Sequence, residues 1–249
     1  MKKKDLSPVR VEQLGFSQRE FLVLFILRKL TEGTSYPKVI HKELRERFPE
    51  KVHSYDYLCK VAKQIETEGL VVITFGNRKN NLSITTLGET YLHEFEKRSK
   101  KQIQEVQAVI QRFVKEITGS GETIPVTHQL AEEHRPFFSK LVSVKDLVRY
   151  VTLKEALSQK YVYMSEIRSL LQDTFGWEAS NGYLYELAIE MEEKNLLEGR
   201  WDGDRRAKRL LSITEEGRHH YKQIADSTRE RLLQIKKFLH RILYLLEGS

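Results

Sequence analysis

The chain has 249 residues, of which 40% are hydrophobic and 31% charged, enough for two ordinary domains and unlike a low-complexity or disordered composition. No apolar run approaches the roughly 20 residues of a membrane helix, and a single cysteine excludes an internal disulfide, so we expect a cytoplasmic protein. The net charge of +7 favours attraction to polyanions, although mild basicity is common among soluble proteins.

Three helices are predicted in the first 70 residues. The first begins after Ser17, which forms a capping-box pattern with Glu20. The second covers residues 36–48, and the third runs from Ser54 to Thr67. The core-facing positions of the second and third helices are predicted at Val39, Ile40, Leu44, Phe48, Leu58, Val61, Ala62 and Ile65.

A β-hairpin and a long helix are predicted next. The runs LVVITF (70–75) and LSIT (82–85) are separated by GNRKNN, a turn-rich segment typical of a hairpin loop. Thr85 then opens a long helix. Three helices followed by a hairpin predict a winged-helix domain, in which the third helix enters a major groove and the hairpin, or wing, lies beside it.

The same order of elements occurs a second time. The pattern S-I-T-x-x-G stands at 83–88 and at 212–217, and the third helix after Ser54 is matched by one after Ser180. Copy two has three more residues in its wing. The predicted fold is therefore mainly α with small β-hairpins (α+β): tandem winged helix-turn-helix domains with long C-terminal helices. The predicted divisions are 1–117 (copy one), 118–143 (linker) and 144–249 (copy two).

The long C-terminal helices of both copies carry an apolar stripe with alternating spacings of three and four residues, which suits a helix–helix seam. Two similar stripes predict either an intramolecular pseudo-dimer or a homodimer. The seam positions are Ile103, Val106, Ile110, Phe113 and Ile117 in copy one, and Leu232, Ile235, Leu239, Ile242 and Leu246 in copy two.

The segment SNGYLYELAIEMEEKNLLEGRWDGDRRAKRLLSITEEGR (180–218) resembles the PadR family of winged-helix transcriptional regulators. The resemblance lies in G-Y-L-Y at the start of the third helix, M-E-E-K-N-L-L-E, the tryptophan that closes the first strand, the basic wing and I-T-E-E-G-R. Copy one is similar more loosely, through E-T-E-G-L and S-I-T-T-L-G. The family typically has one winged helix and C-terminal helices that pair two chains, so two units in one chain depart from it.

The predicted DNA contacts lie on the third helices and the wings. Between Arg200 and Arg209, the wing of copy two has only Asp202 and Asp204 as acidic residues, whereas a merely solvated hairpin would carry mixed charge. Glu186 and Glu190 on the third helix are expected either to face away from the DNA backbone or to weaken binding, and Tyr183 is equally explained as a packing residue. Copy one contributes His53, Ser54, Tyr55, Lys60, Lys63, Asn77, Arg78, Lys79 and Asn80. Copy two contributes Ser180, Asn181, Tyr183, Arg200, Arg205, Arg206, Lys208 and Arg209.

No motif in the sequence predicts an enzyme, a cofactor or a metal site. There is no P-loop, nucleotide-binding fingerprint or nucleophile elbow, and no histidine pair has the spacing of a helical zinc site. Cys59 lies in the middle of the third helix and is interpreted as a structural thiol. The linker is expected to pack in part, with a short helix near 129–134, and its Phe137-Phe138 pair either fixes the two halves, which we favour, or lines an effector pocket.

These patterns predict a protein that binds double-stranded DNA sequence-specifically and regulates transcription, with repression favoured and a location at the nucleoid. The first alternative is a plasmid or phage protein of DNA replication or partition, because two linked winged helices also suit repeated sites. The second is a tandem winged-helix module that binds other proteins, which would need no basic wing.

Overall fold

The computed structural model describes residues 7–50, 53–76, 79–202 and 208–248. The chain forms two compact units. The first unit consists of residues 7–104 with the last helical turns, 237–248, and the second consists of residues 105–236. The first contains the N-terminal winged helix and the second contains the C-terminal one.

The first unit begins with three helices: α1 (Gln18–Thr31), α2 (Pro37–Arg47) and α3 (Tyr55–Thr67). The predicted capping box is confirmed, because Ser17 Oγ accepts a hydrogen bond from the Glu20 N–H at 3.1 Å and the Glu20 carboxylate accepts one from the Ser17 N–H at 2.8 Å. α1 is buried on almost all sides. The prediction that Val39 faces the core is wrong, because its side chain is 46% exposed on the outer face of α2.

The N-terminal wing is an antiparallel hairpin of β1 (Val71–Gly76) and β2 (Lys79–Ile84). Ser35, between α1 and α2, forms an additional bridge to Leu82, so a third short segment extends the wing. α4 (Thr86–Thr118) follows directly.

The linker region contributes a 3-10 turn and the short helix α5 (Arg135–Leu141), so the helix predicted near 129–134 is displaced towards the C-terminus. Phe138 of α5 is fully buried and its ring lies 6.4 Å from that of Phe113 and 5.6 Å from that of Trp177. Phe137 is only half-buried. The linker therefore contributes one aromatic side chain to the core of the second unit.

The C-terminal winged helix repeats the first. It comprises α6 (Val144–Ser158), α7 (Met164–Leu170), α8 (Asn181–Glu193), β3 (Leu197–Asp202) and β4 (Lys208–Ile213), followed by α9 (Glu215–Glu247). Val162 bridges to Leu211 just as Ser35 bridges to Leu82. A π-helix (Leu171–Phe175) continues directly from α7 and ends at Gly176.

The three additional residues of copy two lie between its wing strands. Residues 77 and 78 separate β1 from β2, whereas residues 203–207 separate β3 from β4, and both hairpins are otherwise six residue pairs long. The prediction of a longer second wing is confirmed by these strand bounds.

The repeated S-I-T-x-x-G pattern has a structural reason. Thr85 Oγ1 accepts a hydrogen bond from the Gly88 N–H at 3.0 Å and so caps α4. Its hydroxyl donates to the Gly69 carbonyl oxygen at 2.7 Å and also lies 3.1 Å from the Leu70 carbonyl oxygen. A Cβ on Gly88 would lie 2.1 Å from that same oxygen, so only glycine fits. Copy two repeats these contacts with Thr214, Gly217 and Leu196.

The apolar stripes of the long helices are buried within the single chain, except that Ile117 is half-buried. Each long helix is divided between the two units, because α4 passes into the second unit at residue 105 and α9 passes into the first at residue 237. The division at 1–117, 118–143 and 144–249 therefore stays a prediction about the sequence repeat. In the part of the chain described, no helix has the length and hydropathy needed to cross a bilayer.

Candidate nucleic-acid interface

The outer face of α3 presents polar and cationic side chains to solvent. Ser54 caps the helix through its Oγ, which accepts a hydrogen bond from the Tyr57 N–H at 3.1 Å. Tyr55, Lys60 and Lys63 are exposed, and the two lysines form no ion pair with another residue in the described ranges. Because they lie almost one turn apart, both lysines project from the same side of α3.

Tyr55 and Cys59 form a pair on this face. A hydrogen bond to the Cys59 thiol, together with partial burial, raises the pKa of the Tyr55 hydroxyl. The Tyr55 ring also meets the ring of His41 edge-on, with 5.6 Å between their centroids. Tyr55 is thus held in a defined position at the start of α3, although 44% of its surface stays exposed.

His53 was predicted to contact DNA from the exposed face of the third helix, but its side chain is buried. His53 precedes the Ser54 cap and its side chain is 4% exposed, with its ring 5.8 Å from that of Phe21. Its carbonyl oxygen accepts a hydrogen bond from His41 Nε2 at 2.7 Å. A residue just before an N-cap commonly packs inward and fixes the entry to the helix, which is the role of His53.

An open cleft of about 970 Å³ lies between α2, the start of α3 and the N-terminal wing. Phe75, which is 79% exposed, projects from β1 opposite Val39 and Tyr55. Three cations of α2 line the same cleft, at the i, i+4 and i+7 positions of one helix face. The sequence prediction missed these cations, although their spacing is visible in the sequence: Lys38, Lys42 and Arg45.

A second depression, of about 440 Å³, runs along α3 itself. It is lined by Lys60, Lys63 and Asp56, and Cys59 borders both this depression and the larger cleft. The predicted cations of α3 and the unpredicted cations of α2 therefore line two neighbouring depressions of the first unit, which share Cys59 as a border.

The N-terminal wing contributes Asn80 to the larger cleft. Asn80 pairs with Phe75 across the hairpin, and its side chain is exposed. Predicted residues Asn77 and Arg78 lie outside the described residues, and Lys79 is described only as part of β2.

The outer face of α8 differs from that of α3. Ser180 caps the helix, with the Tyr183 N–H donating to its Oγ at 3.3 Å, and Asn181 is exposed. Tyr183 is half-buried, and this burial raises the pKa of its hydroxyl, so its ring serves packing. Glu186 is exposed at the centre of the outer face.

Cations surround Glu190 on the inner edge of α8. Hydrogen bonds from Lys145 and Lys194, aided by the charge of Arg149, lower the pKa of the Glu190 carboxyl to about 2. Arg149 Nη2 also donates to Glu190 Oε1 at 2.5 Å. These three cations therefore form ion pairs within the second unit.

The described arginines of the C-terminal wing are also engaged within the second unit. Arg209 forms a two-pronged ion pair with Glu192, with 2.7 Å between Nε and Oε1, and its guanidinium lies 5.1 Å from the Trp201 ring. A Cβ on Gly199 would lie 2.2 Å from Glu192 Oε2, so this glycine makes room for the pair. Arg200 stacks on Tyr161, 4.1 Å from the ring centroid.

The remaining predicted wing contacts of copy two cannot be placed. Arg205 and Arg206 lie outside the described residues, and Lys208 is described only as part of β4. Among the side chains that are described, no group of three or more His, Cys, Asp or Glu residues is arranged to hold a metal ion.

Comparison with known proteins points to transcriptional regulation. Residues 154–223 match the transcriptional regulator PadR-like family. The match begins in α6, includes α7, α8 and the C-terminal wing, and ends early in α9. The C-terminal winged helix is thus similar to the corresponding module of PadR-like regulators, which are DNA-binding proteins. No curated protein matches the chain.

Proposed function

We propose that this protein binds double-stranded DNA sequence-specifically and represses transcription, as a regulator with two PadR-like winged helices. The observation that carries the proposal is the exposed face of α3, where Lys60 and Lys63 line a shallow depression and have no ion-pair partner among described residues. The match of residues 154–223 to a family of transcriptional regulators supports the same function.

The chemistry of this face suits DNA. A major groove about 12 Å wide accepts one α-helix, and lysines on its flanks neutralise phosphates and release counterions. The exposed Tyr55 and Asn80 supply a hydroxyl and an amide, both of which bond bases or phosphates. The cations of α2 line the neighbouring cleft, where they add to the attraction of the duplex backbone.

We propose further that the protein acts as an intramolecular pseudo-dimer. Nine of the ten predicted seam positions are buried by the chain itself, which supports pairing within one chain rather than with a second copy. Two winged helices on one face of DNA would contact half-sites about one helical turn apart, or a multiple of it. Protein bound to a site of this size over a promoter excludes RNA polymerase, which is the physical basis for repression. A light-scattering mass of one chain is expected, and a mass of two would favour the homodimer.

Selection of duplexes from a random-sequence pool, followed by genome-wide footprinting at physiological salt, tests this function. Enrichment of one motif over promoters supports the regulator. Iterated copies of the motif at a replication origin or partition locus would favour a replication or partition protein instead. No enriched motif and no salt-dependent duplex binding would sink the proposal and favour the protein-interaction module.

A further inference from the structure

Corresponding positions on α3 and α8 can be identified directly. Ser54 and Ser180 cap the two helices with the same hydrogen bond, and both helices are thirteen residues long. Counting from these caps, Cys59 of α3 corresponds to Tyr185 of α8. Both side chains lie on the outer face, where Cys59 is half-buried and Tyr185 is 52% exposed.

The neighbouring outer positions of the two helices also differ in charge. α8 has Glu186 where α3 has Lys60, and it has Ile189, which is 39% exposed, where α3 has Lys63. A carboxylate at the centre of the face repels phosphates on both sides of a groove, whereas a lysine there attracts them. α3 also carries the exposed Asp56 where α8 has Gly182, so these positions have a net charge of about +1 on α3 and about −1 on α8. The two faces therefore make opposite electrostatic contributions to DNA binding.

The second helices show the same difference. The bridges formed by Ser35 and Val162 with their wings align α2 with α7. On this alignment every cation that lines the cleft of the first unit is replaced by an uncharged residue in the second. Lys38, Lys42 and Arg45 correspond to Ser165, Ser169 and Gln172.

The cations near α8 do not compensate for this loss. Lys145, Arg149 and Lys194 all bind Glu190, and Arg209 binds Glu192. A cation that left its pair for a phosphate would give up an existing carboxylate contact, so its net contribution to DNA binding is reduced. In the described part of the second unit, the face of α8 thus offers DNA an acidic and apolar surface.

We infer that the two winged helices contribute unequally to DNA recognition: α3 enters the major groove and reads the bases, whereas α8 stays outside it. This inference rests on the proposed function and specifies which of the two helices determines the DNA sequence. The C-terminal winged helix then contributes contacts to the DNA backbone alone. One half of the binding site is consequently specified in sequence, and the other half is not.

The family match to the C-terminal winged helix does not contradict this division of roles. The matched range includes the buried stripe of α8 and the close contacts around Gly217, which recur around Gly88 of the other winged helix. These contacts stabilise the winged-helix fold whatever it binds. Binding is decided by the side chains on the outer face, because fold alone does not specify function.

The single cysteine makes the inference testable in the full-length protein. N-ethylmaleimide alkylates Cys59 in the wild type, and the double variant Cys59→Ser/Tyr185→Cys moves the thiol to the corresponding position of α8. Each protein is mixed with a duplex of about 40 base pairs, roughly four helical turns, taken from the random-pool selection. The duplex is supplied at about ten times the dissociation constant measured for that protein, so that roughly a tenth of the protein is free.

The expected result is that DNA slows alkylation of the wild-type thiol about tenfold and leaves alkylation of the thiol at position 185 unchanged. For both proteins, the control is an unselected duplex at a concentration at which little of the protein is bound to it. Protection of both thiols to the same degree, or of the thiol at position 185 alone, would overturn the inference. Protection of neither would overturn it as well, because α3 would then lie outside the groove.

The selected sequences supply a second, independent measurement. We expect one specified half-site, so the enriched motif should lack inverted-repeat symmetry. Two equally specified halves would show that α8 also reads bases, while leaving the proposed regulator function intact. A pool without any enriched motif would instead count against the proposed function itself, so the two failures are distinguishable.

Discussion

Arg28 in α1 donates a hydrogen bond from Nε to the carbonyl oxygen of Leu245, 2.8 Å away, near the end of α9. Its Nη2 also binds the Leu246 carbonyl oxygen and pairs with Glu96. The last carbonyls of a helix have no partner within the helix, so Arg28 satisfies two of them and neutralises the negative end of the helix dipole. The end of α9 is thereby part of the N-terminal winged helix.

Replacing Arg28 with Ala is expected to destabilise the protein by about 2–4 kcal/mol, because it leaves two helix-end carbonyls and the Glu96 carboxylate without this partner. Urea unfolding followed by circular dichroism measures the loss. Arg229→Ala is the matched control, since Arg229 makes only an exposed contact with Asp226 and its removal should cost under about 0.5 kcal/mol. Equal effects of the two substitutions would show that Arg28 does not hold the end of α9.

Gly217→Ala is expected to destabilise the protein by about 3 kcal/mol, because the new methyl group would lie 2.1 Å from the Leu196 carbonyl oxygen and force the wing away from α9. Gly182→Ala is the control: nothing lies within 4 Å of its Cβ position in the first turn of α8. There alanine should stabilise by about 0.5–1 kcal/mol through helix propensity. Thermal unfolding of both variants separates the two effects, and a tolerated Gly217→Ala would contradict the close approach.

The sequence predicted the order of elements, because the caps, turns and apolar stripes are local signals. Ser17, Ser54 and Thr85 each cap a helix at the predicted place. The repeat also located the extra wing residues, since an insertion between two matched strands can only lengthen their loop. Burial on the helix surfaces was less predictable: Val39 lies on an amphipathic helix but faces solvent, and His53 is polar but faces Phe21.

The DNA interface was also only partly predictable from the sequence. A lysine or arginine in the sequence shows charge but does not show which carboxylate is near it after folding. Arg209 was predicted to contact DNA, yet it is paired with Glu192, seventeen residues earlier in the chain. Conversely, the cations of α2 were not predicted to line a site, although their helical spacing is visible in the sequence. Only the folded chain brings α2 and the wing to opposite sides of one cleft.

Glu190→Gln is expected to lower stability at neutral pH by about 1–2 kcal/mol, because the variant loses a carboxylate held by three cations at the surface. The folded pKa of this carboxyl is about 2, below its ordinary value of about 4.3 in an unfolded chain. A depressed folded pKa gives stability that is complete above the unfolded pKa and is lost as pH falls towards the folded one. The difference in urea midpoint between wild type and variant should therefore be constant from pH 7 to about pH 5 and shrink below about pH 4. A difference independent of pH would contradict the assigned pairing.

Lys60→Ala and Lys63→Ala are each expected to weaken binding to the selected duplex about fivefold near 0.1 M salt and to reduce the slope of log K against log salt by about 1. Fluorescence anisotropy across a salt series measures both quantities. Lys222→Ala removes the same charge from an exposed position on α9 and should change neither beyond the small effect of net charge. If the control weakened binding as much as the α3 variants, the attraction would be general rather than located at α3.

The wing of copy two provides the last test, because its charge is known from the sequence. Replacing Arg205 and Arg206 together with Ala is expected to weaken DNA binding about tenfold or more and to reduce the salt slope by about 2, as two phosphate contacts are lost. The loss should be the same for the selected duplex and an unselected one, because phosphate contacts carry no sequence information. Urea unfolding of the variant controls for an effect on folding. Unchanged affinity would show that this wing does not touch DNA. A loss confined to the selected duplex would show that the wing reads bases, contrary to a backbone role for the C-terminal winged helix.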